Sequence, residues 1–125
     1  MEWHPKGSVF SFGTCDGSIW VYNAGNPDSN FNLIGHSESS TCGSFSPDGK
    51  LLVTASSDKT LRIWELKNQL CKHTVRGKKF HKADILCLAL AKGKAIAATG
   101  SAFNEVGIVN YESGNVSKHK FYLIT

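Results

Sequence analysis

A histidine, an aspartate and two hydroxyl residues lie within one short stretch and could form a hydrogen-bonded relay. The stretch begins at His36, contains Thr54 and Ser56, and continues with Asp58 and Trp64. Nucleophilic hydrolases combine a hydroxyl, a histidine and a carboxylate, but such sets are recognised by geometry and not by spacing. The sequence also has no Gly-x-Ser-x-Gly turn that would expose a nucleophile. We therefore interpret these side chains as structural, and we predict no catalytic residues and no enzyme activity.

The residues between His36 and Trp64 have the pattern of short β-strands joined by tight turns. The run 51–56 is apolar and β-branched, which suits a buried strand, and the run 60–65 alternates between apolar and polar side chains. Pro47-Asp48-Gly49 combines a preset φ, a carboxylate that can bond its own backbone and a residue that tolerates positive φ. The pattern predicts strands at 41–45, 51–56 and 60–65, with an outer strand near 72–76.

Two further copies of this pattern flank the stretch. Upstream, Trp3-His4-Pro5-Lys6-Gly7 matches 45–49 at an offset of 42 residues. Downstream, His81 follows His36 by 45 residues, but Val109 stands at the tryptophan position and Phe103 or Asn104 at the aspartate position. We expect an incomplete polar network in this copy. The predicted repeats cover residues 1–23, 30–66 and 72–110, with the start of a fourth at 116–125.

The Gly-His start and the Trp-Glu end of the stretch resemble a WD repeat, which corresponds to one blade of a β-propeller. The resemblance implies an all-β fold, namely a partial WD-repeat β-propeller of about three four-stranded antiparallel blades, and hence a fragment of a larger propeller. It also implies a polar network that runs from Asp58 to His36, then to a hydroxyl, and on to the Trp64 N–H. Thr54 and Ser56 share a strand face, so either can supply that hydroxyl.

A partial propeller leaves an inner face open at each end, which is a pairing and aggregation hazard. We therefore expect missing blades or self-association to cover these faces. The composition is that of a globular chain, with 41% hydrophobic and 19% charged residues. No apolar run is long enough to span a membrane.

The four cysteines are widely spaced and form no Cys-x-x-Cys motif. This usage suits a reducing compartment and predicts a cytoplasmic location, with the nucleus as a second compartment. Cys71, His73, His81 and Cys87 could be imagined around zinc, but their spacing matches no compact zinc module. We therefore predict no metal site and no cofactor.

Much of the net charge of +4 comes from one basic segment. Two interpretations remain open: a solvated outer edge, where lysine discourages edge-to-edge pairing, or a contact for RNA or an acidic partner. The residues of this possible basic contact are Lys72, Arg76, Lys78, Lys79 and Lys82.

A more specific resemblance extends over most of the chain up to about Ser101. Met1-Glu2-Trp3-His4-Pro5, Thr41-Cys42-Gly43 and 62–67 (Arg-Ile-Trp-Glu-Leu-Lys) together resemble the angio-associated migratory cell protein family. Fungal relatives in that family are chaperones for a large-subunit ribosomal protein. The resemblance implies a non-catalytic protein–protein interaction scaffold, with a ribosomal protein as a candidate partner in large-subunit assembly. The alternatives are an RNA- or ribosome-binding module that uses residues 72–82, and an enzyme.

Overall fold

The chain forms three antiparallel β-sheets of four strands each. A computed structural model describes residues 2–5, 7, 9–24, 30–76, 83–91, 93–101 and 105–121, with no side-chain description for 2, 3 and 117–121. Every regular element in these ranges is a strand, so the all-β prediction with three four-stranded sheets is confirmed. Among these residues no helix is long and apolar enough to cross a membrane.

In each sheet, strands that are consecutive in sequence lie side by side. The first sheet contains β1 (Glu2–Trp3), β2 (Val9–Gly13), β3 (Ile19–Asn23) and β4 (Phe31–Leu33). The middle sheet contains β5 (Ser40–Phe45), β6 (Leu51–Ser56), β7 (Leu61–Glu65) and β8 (Leu70–Val75). The third sheet contains β9 (Ile85–Leu90), β10 (Ile96–Ser101), β11 (Glu105–Asn110) and β12 (Val116–Phe121).

The sequence repeats are offset from the sheets by one strand. The repeat predicted from residue 30 begins with β4, which pairs with β3 and completes the first sheet. The segment predicted at 116–125 as the start of a fourth repeat contains β12, which pairs with β11 and completes the third sheet. The reason is that the outer strand of each sheet pairs with the strand that precedes it in the chain. In the repeat motif, however, the residues of that outer strand are counted as the start of the next copy.

The turn between β5 and β6 shows why its residue types are required. The Asp48 carboxylate accepts hydrogen bonds from the Ser46 hydroxyl at 2.6 Å and from the Lys50 backbone N–H at 3.0 Å. Gly49 has a φ of 75°, and His4 from the first sheet lies against it, with Nε2 3.0 Å from the Gly49 carbonyl oxygen. A side chain at 49 would therefore be strained and would collide with the His4 ring. This turn ties the first sheet to the middle one.

The middle sheet is buried on both faces because its strands alternate two apolar sets. One set faces the first sheet and the other faces the third. The first cluster joins Leu52 and Trp64 to Ile19, Val21 and Leu33. The second joins Val53, Leu61 and Ile63 to Ile85, Ala97 and Val109. The alternation along β6 therefore positions Thr54 on the face that carries Trp64.

The first sheet presents aromatic side chains on its other face. Phe10 and Phe12 alternate with the buried Ser11, and Tyr22 follows the buried Val21, so the three rings point away from the middle sheet. Phe10 and Tyr22 stack with ring centroids 5.8 Å apart, and Tyr22 is 39% exposed. This is one of the faces that the sequence predicts to need a cover.

Candidate functional site

Four side chains from separate elements of the middle sheet and its preceding loop form one hydrogen-bonded chain, here called the tetrad. His36 lies between β4 and β5, Asp58 lies in the β6–β7 turn, and Thr54 and Trp64 lie on β6 and β7. Asp58 Oδ2 is 3.1 Å from His36 Nδ1, and His36 Nε2 is 2.8 Å from Thr54 Oγ1. Trp64 Nε1 donates to Thr54 Oγ1 at 2.8 Å. The structure thus brings the predicted residues together in the predicted order.

The donors and acceptors of the tetrad assign its protons. The indole N–H of Trp64 can only donate, so the Thr54 oxygen accepts there and its O–H donates to His36 Nε2. His36 then carries its proton on Nδ1 and donates it to Asp58. Burial lowers the pKa of His36 below its ordinary value of 6.5, although the nearby Asp58 carboxylate opposes that change. The imidazole is therefore neutral at pH 7. Its contact with Asp58 is a hydrogen bond that the neutral ring donates to the carboxylate.

Asp58 stays ionised because donors surround its carboxylate. Burial by itself would raise the pKa of Asp58, but hydrogen bonds from Thr60 and Ser37 and the proximity of His36 hold it below its ordinary value. The Thr60 hydroxyl donates to Oδ1 at 2.5 Å, and the backbone N–H groups of Thr60 and Ser37 lie 2.9 and 3.0 Å from the carboxylate oxygens. The carboxylate therefore fastens the loop that carries His36 to the β6–β7 turn.

Ser56, the alternative hydroxyl in the sequence analysis, has a different role from Thr54. Its hydroxyl donates to the Ser39 carbonyl at 2.9 Å and accepts the Asp58 backbone N–H at 3.1 Å. Ser56 lies two residues after Thr54 on β6, a distance of about 7 Å along the strand. Its hydroxyl therefore reaches the backbone of the loop before β5 and not the indole of Trp64. Tertiary distance settles the choice in favour of Thr54, and Ser56 supports the turn.

Thr60 is a member of this polar group that the sequence analysis did not name. Its hydroxyl oxygen lies 3.1 Å from His36 Nδ1, and it is also bonded to Asp58 as described above. The available signal was its position two residues after an aspartate, where an Asx-type turn brings the two side chains together.

The tetrad has the atom types of a nucleophile, a base and an acid, but its nucleophile is inaccessible. Thr54 is 1% exposed and His36 is 4% exposed. The Thr54 hydroxyl is also engaged on both sides, by the Trp64 N–H and by His36 Nε2. A buried hydroxyl in this position cannot reach a substrate, so the arrangement is suited to joining loop and strands and not to hydrolysis.

The structure separates the two described members of the basic segment. Lys72 lines a cavity with Asp48 and Glu65 at the end of the sheet that carries the β5–β6 and β7–β8 turns. Arg76 lies at the other end of β8, where it lines a cavity with Arg62. Four strand residues correspond to about 13 Å, so these two cations lie near opposite ends of β8. Lys78, Lys79 and Lys82 lie outside the described residues.

The residues considered for zinc are also separated where the structure describes them. Cys71 packs against the cluster that contains Trp64, whereas His73 Nε2 is 2.9 Å from the Glu112 carbonyl oxygen of the third sheet. His81, Phe103 and Asn104 lie outside the described residues. Within the described part of the chain, no three histidine, cysteine or acidic side chains are grouped closely enough to hold a metal ion.

Comparison with known proteins agrees with this architecture. The WD40 family, described as "WD domain, G-beta repeat", matches residues 27–65, the segment that contains the tetrad. The angio-associated migratory cell protein of Homo sapiens is 34% identical over 93% of this chain and 26% of its own length. The U3 small nucleolar RNA-associated protein 21 of Saccharomyces cerevisiae is 37% identical over 57% of this chain and 8% of its own length.

A chain in the crystal structure of the mitotic checkpoint complex has the same arrangement of sheets. It superposes with a TM-score of 0.83 over 96% of this chain and 36% of the other, at 22% sequence identity. The present chain therefore spans about a quarter of the first curated relative and about a third of this structural neighbour. The three sheets, the WD40 match and the similarity to the angio-associated migratory cell protein together identify the chain as a member of the WD-repeat β-propeller proteins.

Proposed function

We propose that this chain is part of a non-catalytic scaffold that binds protein partners. WD-repeat proteins generally act as protein-interaction scaffolds. The observation that carries the proposal is the burial of the tetrad, whose polar groups are all used to fasten the loop before β5 to the β6–β7 turn. Rigid sheets that hold loops in fixed positions are the arrangement in which loops serve binding.

The proposal is tested by isolating stable partners of the full-length protein and by assaying the purified chain for hydrolysis. We expect protein partners that are retained through salt washes, and no ester or peptide hydrolysis above background. A hydrolytic rate that is lost in a folded Thr54→Val or His36→Gln variant would contradict the proposal. The thermal unfolding of each variant separates loss of activity from loss of structure.

We further propose that a partner is a ribosomal protein that is chaperoned during large-subunit assembly. The support is the resemblance to the angio-associated migratory cell protein family, together with the similarity to a protein named for its association with U3 small nucleolar RNA. Affinity purification of the full-length protein should recover a ribosomal protein in near-stoichiometric amount. Its absence among the stable partners would contradict this part of the proposal.

The RNA-binding alternative requires residues 72–82 to act as one surface. Lys72 and Arg76 lie near opposite ends of β8, and the other three cations of this segment lie outside the described residues. Titration with single-stranded RNA at two salt concentrations tests it. Phosphate contacts by several cations would give a steep dependence of affinity on salt.

We propose a cytoplasmic location because all four cysteines are free thiols, which suits a reducing compartment. Fluorescence imaging of the tagged full-length protein tests this expectation, and a secretory pattern would contradict it.

We also propose that the aromatic face of the first sheet is covered, by a further blade or by a second copy. Sedimentation of the 125-residue chain over a range of concentrations should show association, and a dilution-resistant monomer would contradict it.

A further inference from the structure

A cavity of about 460 Å³ opens beside the tetrad at the loop edge of the middle sheet. It is formed where three segments meet: the loop before β5, the β6–β7 turn and the end of β8. Its lining includes the three cations Lys59, Arg62 and Arg76, together with Ser37 and Asp58. This cavity is separate from the one lined by Lys72, which lies at the opposite end of the strands.

The cavity carries an excess of positive charge because three cations and one carboxylate line it. Asp58 accepts hydrogen bonds from Ser37, Thr60 and His36, as described above. Among the described residues, no carboxylate oxygen lies within 4.0 Å of a nitrogen of Arg62. Three cations against one occupied carboxylate leave the cavity positive, and a partly desolvated site of this kind attracts anions.

Within the described ranges, Arg62 has no strong acceptor for its hydrogen bonds. Its Nη1 donates to the Cys71 sulfur at 3.5 Å, which is a weak bond, and its buried Nε has no hydrogen-bond partner among the described residues. The guanidinium carbon lies 5.8 Å from the centre of the Trp64 ring. A Cβ on Gly35 would lie 2.6 Å from Nη1, so glycine is what allows the guanidinium to lie here. Buried polar groups are nearly always paired, whereas this Nε–H has no partner in the part of the chain that the structure describes.

We propose that this cavity is a receptor site for an oxyanion, a carboxylate or a phosphate group, carried by a protein partner. The planar guanidinium of Arg62 suits the two oxygens of either group, and Arg76 and Lys59 add charge at the mouth. The tetrad fixes the site because Asp58 lines the cavity and the Trp64 ring lies 5.8 Å from the guanidinium carbon of Arg62. The proposal rests on the scaffold function only for the source of the anion, since free ions test the site itself.

The test is a titration of the 125-residue chain with inorganic phosphate and, separately, with acetate, at constant ionic strength set by chloride. The arginine Nε–H resonances are followed by ¹⁵N-resolved NMR. We expect a saturable shift of the Arg62 resonance with a dissociation constant on the order of millimolar, as for a few charge-assisted hydrogen bonds. Saturation by phosphate alone assigns the phosphate source, and saturation by acetate as well shows that a carboxylate suffices.

Two variants and a matched control make the site assignment specific. Arg62→Lys keeps the charge but not the planar guanidinium, and exposed Arg76→Gln removes one charge, so each should weaken binding roughly 10-fold. Binding to Arg62→Lys is followed by the Trp64 indole N–H resonance, because that variant has no Nε–H at position 62. Lys67→Gln removes a charge at the opposite edge and should change binding less than about 2-fold. Arg76→Gln keeps the test valid if Arg62→Lys fails to fold.

The proposal is overturned if the Arg62 resonance shows no saturable shift up to about 50 mM of either ion. It is also overturned if Lys67→Gln weakens binding as much as Arg76→Gln does. Failure of the scaffold function is distinguishable, because it would leave the ion titration intact while no protein partner was recovered. A recovered partner with no ion binding would remove only this site.

Discussion

Replacing Thr54 by valine removes the hydroxyl at the centre of the tetrad and almost nothing else. Valine has the shape of threonine, so the packing of β6 is retained. The change deprives the Trp64 indole N–H and His36 Nε2 of their shared partner, each 2.8 Å away. Both groups remain buried, because Trp64 and His36 are only 2% and 4% exposed. The structure therefore predicts two unsatisfied polar groups and no new cavity.

The magnitude follows from the cost of burying a polar group without a partner. Each such group costs about 1–3 kcal/mol, so Thr54→Val should lower the free energy of unfolding by about 2–6 kcal/mol. Thr54→Ser keeps the hydroxyl and loses one buried methyl group, at a cost of about 1 kcal/mol. The ordering is the test, because a purely hydrophobic account would make valine the milder change.

The assay is equilibrium urea unfolding at pH 7.5, followed by tryptophan fluorescence and far-UV circular dichroism. Coincidence of the two signals establishes that one transition is being measured. Thr74→Val is the matched control, because Thr74 lies exposed on β8 and the same replacement there should cost less than about 0.5 kcal/mol. A double-mutant cycle with Trp64→Phe isolates the hydroxyl–indole bond from the separate loss of ring packing.

The outcome that would refute this reasoning is a loss in Thr54→Val that is equal to or smaller than the loss in Thr54→Ser. That result would mean that the Thr54 hydroxyl contributes no more to stability than the Thr54 methyl group does. A coupling energy near zero between Thr54 and Trp64 would show that the indole N–H finds another acceptor. Either result would remove the tetrad as a source of stability.

Further predictions concern pH, backbone conformation and thiol reactivity. Because burial lowers the pKa of His36, the unfolded chain takes up a proton below about pH 6.5 that the folded chain does not, so the free energy of unfolding should fall by up to about 1.4 kcal/mol per pH unit there. Urea midpoints from pH 8 to pH 5 should show this slope in the wild type, and a slope of the same size in His36→Gln would contradict it. Gly17→Ala should destabilise by on the order of 2–4 kcal/mol, since its φ is 92° and a Cβ would lie 2.2 Å from the His36 carbonyl oxygen. Gly93→Ala has a φ of 77° with nothing within 4 Å, so unfolding measurements should give only the conformational cost of about 1 kcal/mol, and equal losses at the two sites would contradict the steric argument. Burial raises the pKa of the Cys42 thiol, so pulsed alkylation with mass spectrometry should label exposed Cys15 roughly 10-fold faster, and equal rates would contradict the burial.

The strand positions were largely predictable because they depend on local patterns. Alternation and turn chemistry predicted 51–56 as a strand, and β6 spans Leu51–Ser56. The predicted third and outer strands differ from β7 and β8 by one or two residues at their ends, as is common where hydrogen bonding between strands decides the boundary. The assignment of β4 and β12 to neighbouring sheets required the pairing itself, which a linear motif does not record.

The polar sites divide in the same way. The motif predicted His36, Asp58 and Trp64 as a group, since a buried network of this kind needs those residue types. It left Thr54 and Ser56 as equivalent, and only the distance to the indole distinguished them. The motif also gave no indication that no described carboxylate lies within 4.0 Å of Arg62, because that depends on which carboxylates reach it in space.

By itself, the sequence determined that the chain contains WD repeats and grouped His36 with Asp58 and Trp64, because repeat spacing, turn residues and alternation are local properties. The tertiary structure decided which hydroxyl completes the tetrad, that Lys72 and Arg76 lie near opposite ends of β8, and that a positively charged cavity lies beside Arg62. These outcomes depend on how three sheets pack and where their loops meet. Distances between residues far apart in sequence are set by that packing, and no local pattern encodes them.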